Sequence, residues 1–302
     1  MYSDIHQQVT DTILKQLEKG VAPWHKPWKE KVGFKLPVNK TTGNLYNGVN
    51  VILLWASAEE RGFQTNEWAS FQQWRDKKEI VRKGEKGTMI VYYDTIEKQD
   101  RNNEDKIKKI PFIKSSYVFN RAQLQSYNAD KEAAPEKLPL IERIDIIDTF
   151  VHDTGVDIRP SNCGAYYVPA TDKVHMPDIS HFLDQPDCKA AEAYYSTLFH
   201  ELTHWTGHIN RLNRGLSTNF GSEPYAKEEL VAELGASYLG AEFEIEKAPV
   251  ENHVNYIGGW LKKLKDDKHF LISAASSASK ATGFLHKITN CRNEKSLTNE
   301  RE

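Results

Sequence analysis

Between residues 4 and 19 apolar side chains recur four apart, at Ile5, Val9, Ile13 and Leu17, and the run stops at Gly20. That spacing places them on one face of a helix and predicts an amphipathic segment closed by a glycine cap. VAPWHKPWKE, with each Trp beside a Pro, then predicts an extended loop. KTTGNLYNGVN is turn-rich and leads into a second helix over Val51–Glu60, ended by Gly62. Thr65 or Asn66 is placed to cap a short third helix carrying Trp68, Phe71 and Trp74. At VRKGEKGT, a basic turn with two glycines, the pattern changes. TMIVYYDT predicts a strand from its β-branched and aromatic content, IPFIKSSYVFN its partner, and the charged EKQDRNNEDKIKK a mobile hairpin tip.

SYNADKEAAPEKLP (126–139) is polar and contains prolines, as linkers do. Beyond it the periodicity predicts a helix over Leu140–Val151 and two short strands in GAYYVPATDKVHMPD around an ATDK turn. Four further helices follow, over about 188–208, 224–241, 252–268 and 270–288. SAASSAS in the last of them suits close helix packing. The expected architecture is therefore α+β in two domains: a small α+β unit over 1–128, a linker over 129–139, and a mostly helical unit over 140–302.

Charge supports that division. Lys and Arg outnumber Asp and Glu by 21 to 15 in residues 1–128, whereas the remainder has 19 against 27. A basic half joined to an acidic half points to separate tasks, the basic one meeting a polyanion. Cys163, Cys188 and Cys291 are far apart, with no CxxC spacing, which suits free thiols in a reducing compartment. No secretory leader pattern and no apolar run of about 18 residues is present, so a cytoplasmic protein with no membrane partner is expected.

The chemistry concentrates in FHELTHWTGH. His200 and His204 stand one helical turn apart, so both imidazoles reach one ion, and Glu201 between them is placed to take a proton from water. The alternative is a surface helix with two ordinary histidines. At about 100° per residue, Ala190, Tyr194, Leu198, Leu202 and Trp205 form one apolar stripe. The two histidines share a different face, and Glu201 falls at the stripe's near edge. They are not incidental core residues.

A catalytic zinc site needs a third protein ligand. The extended motif with a third histidine fails, because Asn210 occupies its position. His208 lies on the same straight helix and cannot complete a shell around the ion. A carboxylate from YAKEELVAELGASYLG fits better: Glu229 shares a face with Ala232, Ala236 and Gly240, a small-residue face that lets another helix approach. Glu233 supports it from one turn on, and Glu228 or Glu233 is the alternative third ligand. His175 on the second predicted strand is a further ion neighbour to weigh, and Tyr225 and Tyr238 are candidate donors to an oxyanion.

HELTHWTGH followed by EELVAELGA resembles the metallopeptidase domain of the ArdC-type antirestriction proteins. PWHKPW, TGNLYNGVNVILLW, GFQTNEWASFQQW, VRKGEKGT and YVFNRAQ are similar to that family's N-terminal domain. The resemblance implies a zincin-like domain with Glu229 as third ligand, an N-terminal domain that binds single-stranded DNA, and protection of incoming plasmid DNA from restriction. The cofactor implied is Zn2+, with another divalent metal as the alternative. The strand pair ahead of the motif is expected to border the cleft and to pair with a peptide.

Single-strand binders combine cations with aromatic platforms on which bases stack. Trp55, Trp68, Phe71 and Trp74 are assigned to the core. Trp24, Trp28 and Tyr46, in polar surroundings, are the candidate stacking residues, and Arg82, Lys83 and Lys86 the candidate phosphate contacts. Two further functions carry the same features. One is a DNA-targeted zinc metallopeptidase that cleaves a host protein; the other is a toxin-like protease whose N-terminal domain binds protein. The protein substrate is not legible in the sequence.

Overall fold

The computed structural model describes residues 4–24, 35–100, 103–129, 138–216, 223–246 and 253–299. Helix α1 (Ile5–Glu18) starts at Asp4, whose carboxylate accepts from the His6 N–H at 3.0 Å, and buries Val9, Ile13 and Leu17 as the periodicity requires. Helix α2 (Val49–Arg61) closes on Gly62, left-handed with φ 65°.

Four strands form the first sheet: β1 (Val38–Asn39), β2 (Glu67–Ser70), β3 (Thr88–Asp100) and β4 (Asn103–Asn120). Their order is β1-β2-β4-β3, with β1 and β2 parallel and the other pairs antiparallel. Two expectations are corrected here. Trp68 lies in β2, not in a helix, because Trp68–Ser70 find backbone partners along β4 while the indole packs edge-on to Phe63. The short helix α3 (Phe71–Asp76) begins one turn later than expected, at a capping box between Ser70 and Gln73. The strands also run further into the charged segment than expected: the β3–β4 ladder continues through Gln99↔Ile107. Antiparallel strands satisfy each other's backbone groups whatever the side chains carry.

In the second half α4 (Leu140–Thr154) ends at left-handed Gly155. A three-stranded sheet follows, built from β5 (Asp157–Pro160), which sequence reading did not anticipate, β6 (Tyr166–Val168) and β7 (Lys173–Met176). The order β5-β7-β6 leaves β6 at an edge. Helices α5 (Ala190–Thr206), α6 (Glu223–Glu242), α7 (His253–Asp266) and α8 (Phe270–Asn299) complete the chain. Most of the expected linker, 130–137, lies outside the described residues.

The architecture is α+β in two domains, but the apolar packing does not stop at the boundary between them. One cluster unites Val9 and Ile13 of α1, Trp24, and Val51 and Trp55 of α2 with Leu230 and Leu234 of α6, Trp260 of α7 and Ala274 and Ala278 of α8. A second joins α4, β7 and α5 to Ala236 and Leu239 of α6 and Leu285 of α8. Helix α6 therefore lies between the two cores. The alanines of SAASSAS are fully buried, the close packing expected of them.

Candidate metal centre and nucleic-acid face

Helix α5 carries His200, Glu201 and His204, and α6 lies against it. The two helices meet at Thr203 and Gly235: a Cβ on Gly235 would come within 2.5 Å of the Thr203 side chain. Burial on α5 is wider than a single stripe, because α6 covers Thr203 and Arg214 covers Thr206. The glycine contact brings Glu229, less than two turns earlier on α6, up to the histidines.

His200, His204 and Glu229 each offer a ligand atom within 4.8 Å of the others. The two Nε2 atoms are 3.1 Å apart, and the Glu229 oxygens lie 3.7 Å from His200 Nε2 and 3.6 Å from His204 Nε2. A tetrahedral ion with metal–nitrogen bonds of about 2.05 Å separates its ligands by about 3.4 Å, so the spacing fits one. Two imidazole lone pairs facing at such a distance repel unless a proton or a cation lies between them.

The surroundings favour that positive charge. Burial works against a proton on His200, yet its hydrogen bond to Glu229 and the charges of Glu233, Glu201 and Glu229 outweigh burial and lift its pKa to about 9. Burial likewise pushes the Glu229 carboxyl upward. The His200 hydrogen bond, the charges of both histidines and the Tyr225 hydroxyl prevail, and it stays below the usual carboxylate value. What holds a proton so firmly here would also hold a divalent cation.

Each histidine is oriented from behind. His204 Nδ1 lies 3.1 Å from Glu228 Oε1, and His200 Nδ1 lies 3.6 Å from Glu233 Oε1. Of the carboxylates weighed from the sequence, Glu229 faces the Nε2 atoms, while Glu228 and Glu233 back the rings, as supporting groups do in metal sites. Burial raises the Glu228 carboxyl, but hydrogen bonds from His204 and Arg214 overcome it and hold it low.

Glu201 is buried in the floor of a cleft of about 400 Å³ lined by both histidines, Tyr166, Tyr167, Tyr225 and Glu229. Edge strand β6 forms one wall. It is tied to the end of α5 by Arg211, which bonds the Asp172 carboxylate and the Tyr167 hydroxyl while lying 3.8 Å over the Trp205 ring. Sequence reasoning missed this clamp, since nothing in the spacing of Asp172 and Arg211 joins them. His175 is not at the ion position; it stacks on Tyr166 at 4.7 Å. His208 accepts from the Asn210 N–H at 3.2 Å and stays outside the cluster. Tyr238 is buried, its hydroxyl on the Gly48 carbonyl, so of the two tyrosines only Tyr225 reaches the cleft.

The basic half departs further from expectation. Trp24 is fully buried, its ring edge-on to Trp260 at 5.6 Å, and offers no face to a base. Trp28 lies outside the described residues. Tyr46 is half-buried against the core, its hydroxyl bonded to Asn39. Arg82 spends its guanidinium on the Leu124 and Ala122 carbonyls and on Glu85. For Trp24 the reason is plain: polar sequence surroundings do not reveal which loops fold back onto a core.

Lys83 and Lys86 are exposed. Between them Glu85 binds Arg61 and Arg82, locking the turn with the lysines outward. An aromatic strip adjoins them. Phe71 is 53% exposed and Tyr117 56%, and Phe119 lies edge-on to Phe71 at 6.1 Å. Tyr117 and Phe119, two apart on β4, share a sheet face. A Cβ on Gly87 would lie 2.9 Å from Tyr117 Cβ and 3.2 Å from the Phe119 ring, so glycine there lets the lysine turn abut the strip. Phe71, assigned to the core, is thus a surface residue; the alternation in SSYVFN was the available signal for Tyr117 and Phe119.

A triad spaced as metal ligands are, in an open cleft beside an edge strand, is the arrangement of a zincin-like domain. Residues 145–277 match the family described as a zincin-like metallopeptidase, and residues 3–119 match the N-terminal domain of anti-restriction factor ArdC. The metal-free crystal structure of the antirestriction ArdC protein from plasmid R388 is 37% identical, with TM-score 0.77 over 95% of this chain and 98% of that one. Its Mn(II)-bound form is 36% identical with TM-score 0.75. The uncharacterized protein y4eC of Sinorhizobium fredii (strain NBRC 101917 / NGR234) is 34% identical over 94% of this chain and 92% of its own length. A DNA primase TraC of Escherichia coli is 36% identical over 93% of this chain, which spans only 27% of that primase. The chain belongs to the ArdC antirestriction family. A zincin-like domain calls for a divalent metal, and no helix among the described residues is long and apolar enough to cross a membrane.

Proposed function

We propose that this protein binds single-stranded DNA and protects incoming plasmid DNA from restriction, and that its zincin-like domain holds one divalent metal in a peptidase-type site. The observation that carries the metal reading is the convergence of His200, His204 and Glu229 beside Glu201. A bound cation would supply Lewis-acid polarisation of a carbonyl and of water. The chain's own part is to hold that cation with His200, His204 and Glu229 and to accept a proton from water at Glu201. Edge strand β6 has an unpaired side on which an extended peptide can lie. Imidazole and carboxylate donors suit Zn2+, and they also suit the Mn(II) carried by the R388 relative.

Metal content tests the site directly. The purified protein is expected to hold about one divalent ion per chain, lowered by His200→Ala and by Glu229→Ala and retained in Glu201→Gln. Normal occupancy in Glu229→Ala together with loss in Glu233→Ala would assign the third ligand to Glu233.

For DNA, the reading rests on exposed Lys83 and Lys86 beside the Phe71–Tyr117 strip, which combine cations and π-faces on one surface. Affinity of the full chain for single strands is expected to fall steeply with salt. Replacing both lysines by Glu should weaken binding and flatten the log–log salt slope by about 1.4, since each phosphate contact on a single strand contributes about 0.7. Phe71→Ala and Tyr117→Ala should each cost about 1–3 kcal/mol. Unchanged affinity and slope in the lysine variant would place the DNA elsewhere.

A further inference from the structure

Beyond the triad, one side chain reaches His204 through Glu228, and it comes from the loop after α5. The Arg214 side chain is 9% exposed and reaches back to two helices, α5 and α6, at once. Its Nε donates to Glu228 Oε2 at 2.9 Å and its Nη2 to Glu228 Oε1 at 2.7 Å, a two-pronged grip on the carboxylate. The same guanidinium donates to Thr206 Oγ1 and to the Thr203 carbonyl, each at 2.7 Å, so it is braced against the C-terminal turn of α5. Glu228 in turn meets His204 Nδ1. The chain of contacts runs from Arg214 through Glu228 to His204 and ends at the Nε2 that faces Glu229.

A second observation concerns Gly207. Its φ of −78° is open to any L-residue, so backbone conformation does not require glycine there. Space does. A Cβ on Gly207 would lie 2.8 Å from Arg214 Nη2, 3.0 Å from its Cζ and 2.7 Å from Leu216. The glycine that follows the HELTH motif leaves room for the guanidinium.

We propose that Arg214 is a positioning residue for the metal centre, fixing His204 through Glu228 with its Nδ1 proton directed backward and its Nε2 lone pair toward the ion. The inference rests on the metal reading above and adds to it a residue that touches neither ion nor substrate. Geometry and charge act in opposite directions here, which makes the idea testable. A cation near the site repels a metal ion, so if Arg214 acted only through its charge, removing it would tighten metal binding. If it acts by holding Glu228 and His204, removing it weakens metal binding. An Arg-to-Lys change keeps the charge and loses the planar two-pronged grip.

The experiment uses the full-length protein. Zinc affinity is measured by competition with a chromogenic chelator, the visible spectrum of the Co2+-substituted protein reports ligand geometry, and the unfolding midpoint of the metal-free form controls for folding. Arg214→Ala is expected to lower zinc affinity about 10–100-fold, the usual effect of removing a group that orients a ligand. Arg214→Lys should recover only part of it, and both should alter the Co2+ spectrum. Gly207→Ala should reproduce the loss without touching any ligand. Glu228→Gln provides a further arm should Arg214→Ala fail to fold, and is expected to weaken zinc binding in the same range. Parental zinc affinity and Co2+ spectrum in folded Arg214→Lys, or in Glu228→Gln, would overturn the proposal, as would tighter binding in Arg214→Ala. A folded parent protein that takes up no metal at all would instead overturn the metal reading, and this inference with it.

Discussion

Glu201→Gln is expected to abolish any peptide hydrolysis while leaving metal content, fold and DNA affinity intact. Loss of a general base costs about 100- to 10,000-fold in rate. Glutamine keeps the shape of the buried side chain and removes only its capacity to take a proton. The variant separates two ways of evading restriction. Covering a strand requires binding alone, whereas destroying a host protein requires the activated water. Plasmid protection, scored as transfer efficiency into a restricting host, is expected to survive in Glu201→Gln and to fall in the Lys83/Lys86 double Glu variant. A specific observation favours the rival reading that the protein acts by cutting: Glu201 sits in a cleft beside the triad, under an open strand edge, an arrangement that a purely structural metal does not need. If Glu201→Gln loses protection at normal abundance and DNA affinity, cutting is the mechanism.

The second large effect is expected from the shared core. Trp24→Ala should cost about 3–5 kcal/mol, the usual range for removing a buried large aromatic, out of a total near 5–15 kcal/mol for a protein domain. Trp24 packs on Trp260, and its carbonyl accepts from Ser237 of α6 at 2.8 Å, so the damage reaches the helix that carries Glu229. DNA binding and metal content should therefore decline together as temperature rises, with coincident midpoints. For the same reason residues 1–129 expressed alone are expected to lack a cooperative thermal transition, since Val9, Ile13, Trp24 and Trp55 would lose α6, α7 and α8 as partners. A sharp, independent melt of that fragment, with DNA binding intact, would show the two domains to be energetically separate.

The sequence by itself determined the features that depend on local periodicity and on residue chemistry at fixed spacing. The i, i+4 run in α1, the closure of α2 at Gly62, and the helices around HELTH and EELVAELGA follow from patterns only a few residues long. The placing of His200 and His204 on one side of α5 follows from helix geometry, because one turn of helix fixes the distance between them. The family resemblance rested on HELTHWTGH and EELVAELGA together with PWHKPW, TGNLYNGVNVILLW, GFQTNEWASFQQW, VRKGEKGT and YVFNRAQ.

Tertiary structure alone decided the rest. Trp68 became a strand residue because β4 supplied backbone partners, Trp24 disappeared beneath α7, and Phe71 emerged at the surface. Which carboxylate of the acidic run faces the histidines was settled by the Thr203–Gly235 contact, which fixes the height and rotation of α6 on α5. Arg214 and Arg211, ordinary in sequence, were brought onto Glu228 and Asp172 behind the cleft by the turn after α5. The physical reason is common to all of these. Local pattern fixes which way a side chain points relative to its own helix or strand, whereas its burial and partners depend on elements distant in the chain, whose positions the whole core sets.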